Sequence, residues 1–197
     1  MCDKPNIFLD LDNTIISSVT PKEFQKIKEH TKGLSYTVMK RFYTIFHRPY
    51  LQEFLDFIFE HFHVSVWTAG SKDYCLFIVE NIILAKKNRS LKLILYDMNC
   101  DQSEALFHNE SPKDLRYVFK FPNFHKNDTF ILDDLPEVQR VNNKNVLPAK
   151  YFDVKHADSV NDTFLKETIE KLKKMLDKYY NTCKVEFTPQ VQEIVVV

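Results

Sequence analysis

Four carboxylates, one hydroxyl and one lysine stand out for where they fall. Asp10 and Asp12 close the apolar run Ile7-Phe8-Leu9, Thr68 follows Val64-Ser65-Val66-Trp67, and Asp133 with Asp134 closes Thr129-Phe130-Ile131-Leu132. Lys113 lies in the stretch between the third and fourth of the strand-like runs. Ligands of an open parallel sheet bind at the carboxyl ends of its strands, so these loops should converge on one crevice. Four carboxylates in one crevice repel each other unless a cation neutralises them, and hard oxygen ligands suit Mg²⁺. A lysine and a hydroxyl in the same place suit an anion. Asp-x-Asp alone is commonly a solvated turn. The strand before it and the partner motifs favour a site.

The elements that must position these residues can be read from periodicity. Residues 7–12, 64–67, 91–96 and 129–132 read as strands, the first and last ending in paired acids. Between them, residues 21–32 have helical spacing, with Pro21 suited to the first turn and Gly33 to the stop. Residues 36–46, rich in β-branched and aromatic side chains, suggest a hairpin around Lys40-Arg41. Pro49 opens an amphipathic helix with Leu51, Phe54, Leu55, Ile58, Phe59 and Phe62 on one side. Further helices are expected over 72–87 and 161–180, and after 91–96 the chain is expected to loop to Lys113. Strands alternating with helices imply an α/β domain with a mostly parallel sheet flanked by helices, a small hairpin insert and no large cap. Residues 1–182 read as one domain, and 183–197 as a tail ending Ile194-Val195-Val196-Val197.

Composition removes several classes. The 197 residues carry 27 Lys+Arg against 27 Asp+Glu, so no net field draws the molecule to nucleic acid. With two glycines, Gly33 and Gly70, neither a Walker loop nor a dinucleotide fingerprint can be written. Cys2, Cys75, Cys100 and Cys183 are too scattered for a zinc site or a disulfide framework. No run has the length of a membrane span and no secretory leader is evident, so a soluble, intracellular protein with no membrane partner is expected. His61 and His63 lack nearby cysteine or carboxylate partners in sequence and read as structural.

Asp10-Leu11-Asp12-Asn13-Thr14, Trp67-Thr68-Ala69-Gly70, Lys113 and Leu132-Asp133-Asp134 resemble the four ordered motifs of the haloacid dehalogenase superfamily. Arg48-Pro49, Pro112-Lys113-Asp114-Leu115 and Ile131 to Pro136 are most similar to the phosphatase domain, of the NLI-interacting-factor-like kind, that acts on the RNA polymerase II C-terminal domain. The resemblance spans roughly Asn6 to Tyr180 and implies a Rossmann-like fold and a serine/threonine phosphoprotein phosphatase. It implies Asp10 as nucleophile and Asp12 as general acid and base. Thr68, Ala69 and Lys113 would bind the phosphoryl group. Asp10, Asp12 (through its carbonyl), Asp133 and Asp134 would surround Mg²⁺, with Asp133 supporting the metal or Lys113. Two strand positions separate Asp10 from Asp12 by about 6–7 Å on one face, which suits one carboxylate on each side of a transferring group. The substrate implied is a phosphorylated protein or peptide; a small metabolite, a nucleic-acid end, or silent phosphopeptide binding are the competing readings. The pattern departs from the family at Asn13, where an acid is common, and at Asp97, near which an arginine is usual.

Overall fold

The computed structural model describes residues 3–108 and 111–186, with the side chains of 183–186 excepted. A five-stranded parallel sheet in the order β6-β5-β1-β7-β8 forms its centre: β1 (Asn6–Leu9), β5 (His63–Trp67), β6 (Ile94–Leu95), β7 (Thr129–Asp133) and β8 (Val146–Pro148). All four β1 residues are buried, as a central parallel strand covered on both faces requires. From β1 the chain builds one side of the sheet through β5 and β6, then returns to the other side of β1 with β7 and β8. The order therefore reverses at β1, the place where such sheets open a ligand crevice.

Alternation along the strands supplies two cores. Ile7, Leu9, Val64, Val66 and Leu132 pack against α2 (Leu51–His61), α3 (Lys72–Ile78) and α6 (Phe164–Glu186). Phe8, Trp67, Leu95 and Ile131 pack on the opposite face against Cys100 of α4 (Asp97–Phe107), Leu115, Val118 and Val138 of α5 (Pro136–Val141).

The segment between β1 and α2 forms a second, antiparallel sheet in the order β2-β4-β3, with β2 (Ile16–Val19), β3 (Tyr36–Met39) and β4 (Tyr43–His47). A capping box between Thr20 and Glu23 starts the intervening helix α1 (Pro21–Ile27). Tyr36, Val38, Phe42 and Tyr43 leave large apolar surfaces exposed on this insert.

Arg48 fastens the insert to the body. It is buried, and its Nε and Nη2 donate to the two oxygens of Asp162 at 2.8 and 2.9 Å. Its Nη1 donates to the carbonyls of Thr14 (2.7 Å) and Lys150 (2.8 Å), and the guanidinium lies 4.2 Å from the Phe164 ring centroid. One side chain thus joins the loop after β1, the exit of β4, the loop after β8 and the start of α6.

Several elements differ from the sequence reading. The strand over 91–96 is only Ile94–Leu95, because it is a sheet edge paired on one side to β5. The supposed loop before Lys113 is the helix α4, whose weak amphipathic pattern hides its few buried positions, Cys100 and Ser103. The helix over 72–87 becomes α3 followed by a π-helical turn, Val79–Ile83, which turns Val79, Ile82 and Ile83 into the core. The first helix stops at Ile27, and turns occupy the stretch before Gly33, whose φ of 99° is left-handed. The closing helix starts at Phe164 and runs to Glu186, past the start of the expected tail; residues 187–197 lie outside the described residues. Serine-bearing β2, three-residue β8 and six-residue α5 were too short for periodicity to announce.

Arg48→Met should lower unfolding free energy by about 3–5 kcal/mol, because it strands the nearly buried Asp162 carboxylate and the Thr14 and Lys150 carbonyls. Arg48→Lys should recover only part, since an ammonium cannot reproduce the bidentate pair. Denaturant melts of the three proteins check both values.

Candidate active site

Strand register brings the chemical residues level. Leu9 lies opposite Val66 on one side and Leu132 on the other, so Asp10 comes into line with Trp67 and Asp133. Asp10, Asp12, Asn13, Thr68, Ala69, Gly70, Lys113, Asp134, Leu135 and Tyr151 line one crevice of about 350 Å³. All the residues singled out from sequence are therefore in it, except that Asp133 sits beneath its floor with no exposure.

The Lys113 side chain is buried, and Nζ donates to Asp10 Oδ1 at 2.5 Å and Asp133 Oδ2 at 2.8 Å. Burial pulls such an ammonium toward losing its proton, but the two carboxylates outweigh that and hold it above the ordinary lysine range. Its backbone is held too: Asn142 donates to the Lys113 carbonyl (2.8 Å) and accepts from Leu115 N–H (2.9 Å).

Asp133 has both oxygens engaged, Oδ1 by the Leu135 N–H at 2.9 Å and Oδ2 by Lys113. Burial and the nearby Asp10 push its carboxyl up, opposed by Lys113. Its neighbour Asp134 faces the crevice and accepts from the Thr14 hydroxyl at 2.9 Å. Burial, then Asp10, raises Asp134 as well. Oxygens of Asp10, Asp133 and Asp134 lie within 4.8 Å of one another, close enough to share one ion, and this is the sole such group among the described residues. Oxygen-only donors suit a hard cation such as Mg²⁺. The Asp12 side chain is outside that group.

Asp12 instead turns to Tyr74 of α3, whose hydroxyl donates to Asp12 Oδ1. Burial, only partly offset by that bond, pushes the Asp12 carboxyl up to about 6. That range suits a group that gives and regains a proton. Thr68 is buried, and its Oγ1 accepts from Gly70 N–H at 3.0 Å; Ser71, not Thr68, stands at the N-cap of α3. Asn13 takes the left-handed conformation (φ 61°), which asparagine tolerates, and its side chain donates to the Phe152 carbonyl. Asp97 is exposed at the first turn of α4 and spends Oδ1 on the Met98 N–H, so it brings no positive charge to the crevice.

Tyr74, Thr14 and Gly70 were not assigned roles from sequence. Thr14 ends the first motif, which was a signal. A β-carbon on Gly70 would meet Tyr74 Cδ1 at 2.7 Å, so the glycine is there for close packing of that ring. No short-range pattern reveals it. His63 Nε2 donates to Asp3 Oδ1 at 3.1 Å, and His61 packs on Phe57, which leaves both structural.

A parallel α/β core with carboxylates, a threonine and a buried lysine gathered at its carboxyl edge is a haloacid-dehalogenase-like fold with the residues its resemblance led one to expect in one crevice. The sequence profile of the NLI interacting factor-like phosphatases matches residues 5–183, and the chain belongs to that family. The CTD phosphatase-like protein 355R of Invertebrate iridescent virus 6 is 37% identical over 184 residues, covering 89% of this chain and 99% of its own. Its counterpart in Invertebrate iridescent virus 3 is 36% identical, covering 86% and 97%. The fold is similar to that of the fission yeast RNA polymerase II CTD phosphatase Fcp1 bound to beryllium fluoride, with a TM-score of 0.55 at 18% identity. The match covers 88% of this chain and 51% of Fcp1, so the chain spans about half of that protein. No helix among the described residues is long and apolar enough to cross a membrane.

Lys113→Met should leave Asp10 and Asp133 facing each other without their shared cation. The expected loss is about 3–5 kcal/mol in unfolding free energy. A double variant, Lys113→Met with Asp133→Leu, should regain a measurable part of it, and urea melts distinguish the two.

Proposed function

We propose that this chain is a Mg²⁺-dependent phosphatase that works through an aspartyl-phosphate on Asp10 and acts on phosphoserine or phosphothreonine in protein. What carries the reading is the division of labour between two acids two residues apart: Asp10 bonded to a buried ammonium, Asp12 to a neutral phenol. The first has a cation against its carboxylate, and the second is placed to exchange a proton.

The Asp10 carboxylate would attack phosphorus as the seryl oxygen departs, and Asp12 would supply that oxygen with its proton. A water then enters. Asp12, now ionised, takes a proton from it as its oxygen bonds to phosphorus and the bond from phosphorus to the Asp10 oxygen breaks, which releases inorganic phosphate and the Asp10 carboxylate. Thr68 and Lys113 would stabilise the charge spread over the phosphoryl oxygens. Asp10 and Asp134 carboxylates with the Asp12 carbonyl would hold Mg²⁺, leaving Asp133 to orient Lys113. The charges agree with this. With Asp12 protonated, Lys113 balances one of the three remaining carboxylates, and a divalent cation balances the other two. When bound, that cation neutralises repulsion between nucleophile and phosphate.

A protein substrate is supported by the openness of the crevice. Among the described residues no cap covers it; the β2-β4-β3 insert packs on Tyr74 through Ser18 and Tyr43, and Tyr151 on the rim is 56% exposed. Exposed Tyr43 and Phe42 offer contacts to residues beside the phosphate.

Asp10→Asn should remove turnover while leaving the thermal midpoint near that of the wild type. More than a few per cent of wild-type kcat would rule out the aspartyl-phosphate. Mg²⁺ should raise the thermal midpoint of the wild type but not of Asp134→Ala, and chelator should abolish activity. Phosphoserine or phosphothreonine peptides should exceed free phosphoserine and sugar phosphates in kcat/KM by at least roughly tenfold, about 1.4 kcal/mol. A small phosphate as the better substrate would transfer the enzyme to the metabolite class.

A further inference from the structure

We propose that Tyr74 is a positioning residue for Asp12: its hydroxyl, held in turn by Ser18, fixes which Asp12 oxygen carries the proton that leaves with the product alcohol. The inference rests on the assignment of Asp12 as general acid.

The geometry is a chain of three groups from three elements. Tyr74 of α3 donates its one proton to Asp12 Oδ1. The Ser18 hydroxyl of β2 lies 2.5 Å from the same phenol oxygen, and since the phenol proton is committed to Asp12, Ser18 is the donor there. A carboxyl oxygen that accepts from a phenol is not the one that bears its own proton. The acidic proton of Asp12 is therefore confined to Oδ2, in one orientation. The ring itself is fixed on two sides. Gly70 leaves room on one, since a β-carbon there would meet Tyr74 Cδ1 at 2.7 Å. On the other, the Tyr43 ring of β4 packs edge-on at 5.6 Å between centroids.

Both Ser18 and Tyr43 belong to the insert, which meets Tyr74 behind Asp12. The acid is thereby oriented by the same element that would meet the peptide around the phosphoamino acid. A free carboxyl on an open loop would sample both oxygens and several rotamers, and misorientation of this kind lowers the rate only where protonation matters.

The test compares single-turnover phosphoryl transfer in wild type, Tyr74→Phe, Ser18→Ala and Asp12→Asn. The substrates are a phosphoserine peptide, p-nitrophenyl phosphate and a series of aryl phosphates of graded leaving-group pKa. Tyr74→Phe should slow the peptide about tenfold or more and p-nitrophenyl phosphate less than about twofold, with a steeper dependence on leaving-group pKa. Ser18→Ala should show the same selectivity to a smaller extent. If Tyr74→Phe proves unfolded, Ser18→Ala decides by the same criterion. Equal losses with both substrates would mean a merely structural ring, and no loss would mean an idle hydroxyl; either overturns the proposal. Asp12→Asn separates the two levels. If it is crippled selectively while the Tyr74 and Ser18 variants are not, only the positioning role fails. If Asp12→Asn itself lacks the selectivity, the assignment of the acid fails and the positioning role with it.

Discussion

A buried ammonium between two carboxylates is the constraint on which the rest of this molecule depends. Lys113 Nζ can stay charged without solvent only because Asp10 and Asp133 are both in hydrogen-bond contact with it. Those acids end adjacent parallel strands, while the lysine arrives from a loop between α4 and β7. The charge balance therefore demands that sheet register and loop path be right together. Much of the surrounding polar structure serves that end. Asn142 clamps the backbone just after Lys113, on both sides of Asp114, Ser103 accepts the Asp114 N–H, and Gln139 donates to the carbonyls of Asp133 and Asp134. An apolar substitute for the triad would fold as well or better on general grounds. Its retention here agrees with a role in chemistry.

The same arithmetic explains the openness to a cation. One lysine cannot balance four carboxylates, and the burial that raises Asp12, Asp133 and Asp134 is the cost of leaving the excess in place. A divalent ion among oxygens 4.8 Å apart at most would cancel two of the three excess charges.

The insert is joined to this centre by two connections of different character. Arg48 is mechanical: a fully engaged guanidinium that ties β4 to the first motif through Thr14 and to α6 through Asp162. The Ser18–Tyr74–Asp12 chain reaches a carboxyl that lines the crevice itself. Rigid attachment by the first is what lets the second hold an orientation.

The local pattern was sufficient for whatever depends on local pattern. Continuous apolar runs ending in acid marked β1 and β7, the stripe from Leu51 to Ile58 marked α2, and four motifs in order marked Asp10, Asp12, Thr68, Lys113, Asp133 and Asp134 as one group. The short or weakly patterned elements were not legible, because β2, β8 and α4 hold their form through neighbours rather than through their own periodicity. Nor could Tyr74 be distinguished from other core aromatics, since its meaning lies in contacts 62 residues away with Asp12 and 56 away with Ser18. Sequence alone determined which side chains are available for chemistry and that they end strands. Tertiary structure decided what each one faces: ammonium for Asp10 and Asp133, phenol for Asp12, threonine for Asp134. The proton affinity of a buried carboxyl is set by its immediate partners, and those are chosen by register and packing across the whole chain.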